Sequence, residues 1–340
     1  MGLQDRPMQP KDVAECARII AAHPVIGLRY GSAISDLGPA WLRLLGCEGM
    51  NAIVIEEVDG SYATICFVGV SVFVCDEFLR ELKTPPQFWF GPKLARRVMR
   101  EDSPLLSDRQ VRETNSYGGL NTITWEGCIR PGFEAHTELH RKVVSVFIEE
   151  HRGYLSKEAI SSQMESVERL QWVLKTGGLL WDTKHGRYVD SLKKHPKEII
   201  SEPHILGVTR KIEQNRPGTW VGALFDYHPP KLGFSRGEQR LLLSALSGRT
   251  DQELSHHLGV SVSTVKNTWR SIYNRTSSCM PELFLDQSQT DSRNSERGKE
   301  KKRPLLSYLR DHPEELRPVS RKHLQQAVPR QGHSRKYKRA

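Results

Sequence analysis

Long apolar runs are missing from this sequence, and so are paired cysteines. No stretch reaches the about twenty apolar residues that a membrane-crossing helix needs, and the opening MGLQDRPMQPKDV lacks the apolar core of a signal peptide. The expectation is a cytoplasmic protein with no membrane partner. The six cysteines, Cys16, Cys47, Cys66, Cys75, Cys128 and Cys279, form no CxxC pair. That argues against zinc-ribbon and thioredoxin-like chemistry and for scattered reduced thiols. There is no G-x-S-x-G elbow and no P-loop. His136 and His140 stand four apart, a spacing that can hold a metal. The zincin pattern, however, needs Glu directly after the first His, and Thr137 is there instead. No catalytic residue, metal site or cofactor is therefore expected, and the chain does not read as an enzyme.

What is present is unevenly distributed. The 340 residues carry a net charge of +10. Between Asp286 and Ala340 there are 15 Lys/Arg and 7 Asp/Glu, whereas the residues before Leu232 hold 29 of each sign. A neutral front and a basic back suit a sensing or enzymatic part joined to a part that binds a polyanion. His228-Pro229-Pro230-Lys231 reads as a linker, because two prolines resist both helix and central strand.

The front reads as mixed α and β. Helices are expected from Gln9 to His23, around Ala40 to Leu45, from Phe78 to Leu82, from Gly91 to Arg100 and from Phe133 to Glu150. Ala52–Val58 and Tyr62–Cys75 flank Asp59-Gly60 and predict a hairpin whose second strand is buried. Ile123–Trp125, Leu179–Asp182 and Trp220–Tyr227 are further expected strands. A long helix is expected from Ser156, as its cap, to Lys175, with Ile160, Met164, Val167 and Leu170 in a stripe that serves as core or as a dimer seam. Residues 1–150 thus form a mixed α/β domain, and residues 151–227 a helical or mixed extension of it.

Residues 232–285 read as three short helices. Ser235 precedes Glu238 by three residues and Thr250 precedes Glu253 by three, which makes two capping boxes. Ser261 is a third N-cap, and Gly248 and Gly259 stand where the first two helices stop. Leu242, Leu254, Leu258, Val265, Trp269 and Ile272 supply the expected core. Only Gly259-Val260 separates the second helix from the Ser261 cap of the third, which forces a steep crossing and a helix-turn-helix layout. On the third helix Ser263, Asn267, Arg270 and Asn274 face away from the stripe, with Thr264 and Lys266 on its flanks. No acidic residue occurs from Ser261 to Arg275. Such a face can donate hydrogen bonds to base edges and phosphates of double-stranded DNA.

The run F-S-R-G-E-Q-R-L-L-L, S-G-R-T-D-Q-E-L and H-L-G-V-S-V-S-T-V-K-N-T-W-R-S-I-Y resembles the LuxR-type helix-turn-helix of bacterial transcription regulators. Glu238, Gly248, Glu253, Leu254, Leu258, Ser261, Thr264, Val265, Lys266 and Ile272 match family positions. Gly237, Asp251-Gln252, Thr268 and Arg275-Thr276 depart from them. The resemblance implies that the T-V-K helix enters the major groove, with Thr264 and Lys266 contacting DNA. It also implies a further helix with a dimer contact, which Pro281 and Leu283-Phe284-Leu285 could supply.

The opening resembles the GNAT acetyltransferases, through Arg6-Pro7 to Asp12-Val13-Ala14 and the acidic Glu56-Glu57-Val58-Asp59-Gly60 hairpin. The R/Q-x-x-G-x-G/A loop that would cradle the pyrophosphate of coenzyme A is missing. A degenerate GNAT-like domain that binds a ligand or dimerises follows. The fold expected is α+β: a mixed α/β front domain, a small all-α helix-turn-helix domain and a basic, largely disordered tail over residues 286–340. That tail is either a solvated extension or an arm that touches phosphates. The function expected is DNA-binding transcription regulation by a homodimer with a small-molecule effector. The alternative is a GNAT-class acyltransferase with a regulatory DNA-binding tail.

Overall fold

Thirteen consecutive residues from Tyr62 to Val74 form β3, the strand on which the front of the protein is built. Its even-numbered residues, Val68, Val70, Val72 and Val74, face one core, while Phe67 and Phe73 face the other side of the sheet. That period of two is why a nearly unbroken apolar run is buried on both faces. The computed structural model describes residues 2–161, 177–190, 205–216, 218–287 and 297–319. The chain divides into two compact units, with the boundary between Pro229 and Pro230.

In the front unit eight strands lie in the order β1-β2-β3-β4-β5-β8-β6-β7. They are β1 (Gly2–Pro7), β2 (Met50–Asp59), β3, β4 (Leu120–Ile129), β5 (Ser156–Ser161), β6 (Leu179–Asp182), β7 (Arg187–Val189) and β8 (Leu206–Thr209). β2 and β3 pair antiparallel as the hairpin signal predicts, and Gly60 turns between them at φ +60°. β4 and β5 run parallel and are joined through α7 (Thr137–His151). The sheet is mixed and continues across residue 150, so residues 151–227 share one sheet with what precedes them.

One face is covered by α1 (Val13–Ala22), α2 (Ile26–Tyr30), α3 (Ile34–Leu44), α4 (Asp76–Lys83) and α5 (Phe90–Met99), around Ile20, Leu37, Trp41, Phe78, Leu94 and Trp125. The other carries α6 (Asp108–Ser116), behind Phe73 and Tyr154, and α7, whose Leu139 meets Ile55 and Phe67. The Arg6 to Asp12 motif has a structural use. The Arg6 guanidinium donates to Asp12 at 2.6 Å and also binds Glu56, which pins β1 to the start of α1 and to β2. Burial pushes the Asp12 carboxyl up, but Arg6 and the Gln9 N–H outweigh it and hold it below its ordinary value.

Two expectations are corrected here. Ser156 does not cap a helix: Ser156–Ser161 is strand β5, held between β4 and β8. Pairing on both edges overrides the local helical reading, and Met164, Val167 and Leu170 lie outside the described residues. Trp220–Tyr227 is not a strand either. Thr219 Oγ1 accepts from the Gly222 N–H at 3.1 Å and starts a 3-10 turn over Trp220–Leu224. The remaining short helix of this unit, α8 (Arg210–Glu213), follows β8.

The second unit contains α9 (Arg236–Ala245), α10 (Asp251–Leu258), α11 (Val262–Cys279), a 3-10 turn over Pro281–Gln287 and α12 (Arg297–Asp311). The disorder expected from residue 286 onward does not hold for residues 297–319. Leu305, Leu306, Leu309, Leu316 and Val319 are buried, and the four leucines share one core with Leu241, Leu242 and Trp269. Leu305, Leu306, Tyr308 and Leu309 are spaced as one short helix in the sequence, and the helix found is longer, starting at Arg297. Glu315 fastens the segment. Its carboxylate accepts the Lys231 and Leu232 backbone N–H groups at 2.8 and 3.0 Å and the Tyr308 hydroxyl at 3.1 Å. Gln239 on α9 donates to the Glu315 and Arg317 carbonyls at 3.1 and 2.8 Å.

Among the described residues, no helix is long and apolar enough to cross a membrane. Glu315→Ala should strand two buried donors and destabilise the second unit by roughly 2–3 kcal/mol. Native-state hydrogen exchange at the α9 amides reads this directly, and unchanged protection there would show that the segment is not a structural part of the unit.

Candidate nucleic-acid interface

The local chemistry of residues 235–279 sets three helix starts. Ser235 Oγ accepts from the Glu238 N–H at 3.3 Å, while Glu238 Oε2 accepts from the Ser235 N–H at 2.8 Å. Thr250 and Glu253 repeat the arrangement at 3.3 and 2.7 Å. Gly259 ends α10 in the left-handed region at φ +63°, and the Val260 N–H closes on the Ser255 carbonyl at 3.0 Å. α11 then begins at once behind Ser261, whose Oγ accepts from the Thr264 N–H at 3.1 Å.

This frame divides α11 into two faces. Val265, Trp269, Ile272 and Thr276 are buried. Leu242 and Leu254 are buried with them, and Leu258 is half-buried against the same core. Ser261, Ser263, Thr264, Lys266, Asn267, Arg270 and Asn274 are all exposed. These seven are not equivalent. The Ser261 hydroxyl lies 2.7 Å from that of Ser263 and 2.8 Å from that of Thr264, so the three knit together as the helix start. The side chains of Lys266, Asn267, Arg270 and Asn274 make no hydrogen bond or ion pair among the described residues. Lys266 and Arg270 are one turn apart, as are Asn267 and Arg270, so three unengaged donors share a short strip.

The contacts that fix this helix were not readable from its own pattern. Trp269 Nε1 donates to Asp251 Oδ1 at 3.2 Å, across the turn to the first residue of α10. Its ring stacks on Tyr273 at 5.4 Å, and the Lys302 ammonium of α12 lies 4.9 Å above it. Glu238 accepts the Ser271 hydroxyl at 2.8 Å and lies 3.6 Å from Arg275, so the cap of α9 also holds α11. Burial pushes the Glu238 carboxyl up, but the Ser235 N–H, the Ser271 and Ser235 hydroxyls and Arg275 outweigh it and hold it below the ordinary glutamate value. Both carboxylates that touch α11, Asp251 and Glu238, thus serve its packing, and the exposed strip keeps a positive sign. Leu283 and Phe284, half-buried, pack against the unit's own core, with Phe284 edge-on to Tyr273.

The other positions singled out in the sequence have local uses. His136 caps α7 by accepting from the Leu139 N–H at 3.1 Å, and His140 Nε2 pairs with the Glu134 carbonyl at 2.7 Å. Among the described residues no group of three or more His, Cys, Asp or Glu is placed to hold a metal. In the loop ahead of α7, the Glu134 carboxylate accepts the Gly132 N–H at 2.7 Å.

Trp269→Ala should cost roughly 3–5 kcal/mol and unfold the second unit, whereas Trp269→Phe keeps most of the packing and loses mainly the bond to Asp251. Thermal melts of both variants distinguish the two contributions. Because the folded Glu238 carboxyl sits below its ordinary value, its contribution is complete above about pH 4.3 and is lost as pH falls through the folded value. Glu238→Gln should therefore lower stability at neutral pH and flatten its acid dependence. Melting temperatures of parent and variant from about pH 6 to about pH 3 test this, and parallel curves would remove Glu238 from the account.

No protein-family model matches this chain, and no curated protein matches it.

Proposed function

We propose that this protein is a DNA-binding transcription regulator of LuxR helix-turn-helix type and not an enzyme. In this reading α10 and α11 are the two helices of the motif, and α11 lies in the major groove. The observation that carries it is the strip of unengaged donors at Lys266, Asn267 and Arg270, exposed on a helix whose other side is buried through Val265, Trp269 and Ile272. A rigid helix that offers guanidinium, ammonium and amide donors, with no carboxylate on that side, has the chemistry that reads base edges and phosphates. Ser261, Ser263 and Thr264 then present the helix start, where backbone N–H groups and the helix dipole favour a phosphate. The acyltransferase alternative is the weaker one, because the sequence lacks the R/Q-x-x-G-x-G/A loop that would cradle a pyrophosphate.

A single unit of this size makes few base contacts, so the protein acts on DNA as a homodimer on repeated half-sites. Leu283 and Phe284, half-buried, supply a small part of that contact, and the front unit supplies the rest. The cytoplasm is the compartment this role requires.

Alanine variants at the two cationic positions test the reading. Arg270→Ala should weaken binding to the selected operator by about 1–3 kcal/mol and relax the preference at one base pair. Lys266→Ala should weaken all sequences alike and reduce the salt slope by about one unit. The operator comes from genome-wide mapping with the intact protein, and affinities are then measured at two salt concentrations. Two variants that fold normally and bind like the parent would end the proposal.

A further inference from the structure

The front unit has a pocket of about 170 Å³ between the sheet and α7, partly open to the surface. Gly69 on β3 and Gly207 on β8 belong to its wall: a Cβ on Gly69 would press on Phe67 and Ile53, and one on Gly207 would meet the Ala159 carbonyl at 2.6 Å. Most of the described wall is apolar, with Ile53 and Phe67 on the strands and Val143, Val144 and Phe147 on α7. A cavity of about 150 Å³ lined by such side chains stays dry and admits benzene, so this one has room for a molecule slightly larger.

One part of the wall is polar and built. Asn51 and Ser71 are cross-strand partners on β2 and β3, and both meet the end of α7. Asn51, Ser71 and His151 are only 6 %, 4 % and 5 % exposed. Asn51 Nδ2 donates to the Glu150 carbonyl at 3.2 Å. His151 Nδ1 lies 2.7 Å from the Phe147 carbonyl and its Nε2 lies 2.5 Å from Ser71 Oγ. A carbonyl can only accept, so Nδ1 carries the proton, and in the neutral ring Nε2 accepts the Ser71 hydroxyl. The hydroxyl proton is thereby committed, and what Ser71 presents to the cavity is an acceptor. No Lys or Arg lines the cavity among the described residues. An ionised carboxylate or phosphate would meet no Lys or Arg among these residues, and burial of an unpaired charge is heavily penalised.

We propose that this cavity is a binding site for a neutral, mainly apolar molecule of about seven to ten non-hydrogen atoms that donates one hydrogen bond, from a hydroxyl or amide N–H, to Ser71 Oγ. The inference concerns binding alone. It does not rest on the DNA reading, and a chain that bound no DNA would still give the results below.

The test uses the intact protein and three probes of one shape: benzyl alcohol, toluene and benzoate. Binding is followed by saturable methyl chemical-shift changes at Val143, Val144 and Val208. Benzyl alcohol should saturate, toluene should bind more weakly, and benzoate should not bind. Ser71→Ala should bring the affinity for benzyl alcohol down to that for toluene while leaving toluene unchanged. Val144→Trp, which fills the cavity from α7, should lower the affinity for both by at least about tenfold. Circular dichroism checks that each variant folds, and Val143→Phe takes the place of Val144→Trp if that one does not. The proposal is overturned if none of the probes saturates, if benzoate binds as well as benzyl alcohol, if the filled variant binds like the parent, or if Ser71→Ala weakens both neutral probes equally.

Discussion

A charge taken out of water has to be met by partners, and in this protein the buried carboxylates are where distant segments are tied together. In the second unit Glu238 caps α9 and holds Ser271 and Arg275 of α11, while Glu315 gathers the linker N–H groups and Tyr308. In the front unit Arg6 joins Asp12 to Glu56. Tyr30 donates to Glu126 at 2.7 Å across 96 positions of sequence, and burial together with that carboxylate raises the Tyr30 phenol so that it keeps its proton. Lys83 meets Glu158 at 2.5 Å under the rings of Trp181 and Tyr188. Apolar burial drives each unit together, but these pairs make the alternatives costly, because a shifted segment would leave a carboxylate unmet.

The same constraint explains why the exposed face of α11 is available. Helix starts at Ser235, Thr250 and Ser261 use their own hydroxyls and carboxylates, and Trp269 takes Asp251 as its partner. Among the described residues Asp251 and Glu238 are committed to the inner side of the helix, and neither Lys266 nor Arg270 has a carboxylate partner there. In the proposed reading such a face meets a polyanion with no ion pair to break first. The front cavity follows a different logic. There a hydrogen-bonded Ser71–His151 pair sets a polar spot in a wall that also carries Ile53, Phe67 and the valines of α7.

The part of the fold that rests on neighbours in sequence was legible beforehand. A capping box spans four residues, a hairpin turn two, and an amphipathic stripe a few turns, so Ser235, Thr250, Ser261, Gly60 and the Val265–Trp269–Ile272 stripe could all be read from their spacing. The exposed strip on α11 followed from that stripe by geometry alone. Ser156–Ser161 could not be read in the same way, because its conformation is set by β4 and β8 on either side and not by its own residues. Around Leu305 to Leu309 the spacing allows a short helix, but the charged composition favours disorder unless a core is waiting for its leucines, and that core is set by the tertiary structure.

Local hydrogen-bonding and periodicity in the sequence thus determined where α9, α10 and α11 begin, where α9 and α10 stop, and which side of α11 faces out. Only the tertiary structure decided what those helices are fastened to: Asp251 for Trp269, Ser271 for Glu238, and the linker N–H groups for Glu315. It also brought Asn51, Ser71 and His151 to one wall. The physical reason is range. Caps and stripes act over a few residues, whereas buried polar partners are chosen by whichever segment the apolar core brings alongside, and no spacing in the sequence records that choice.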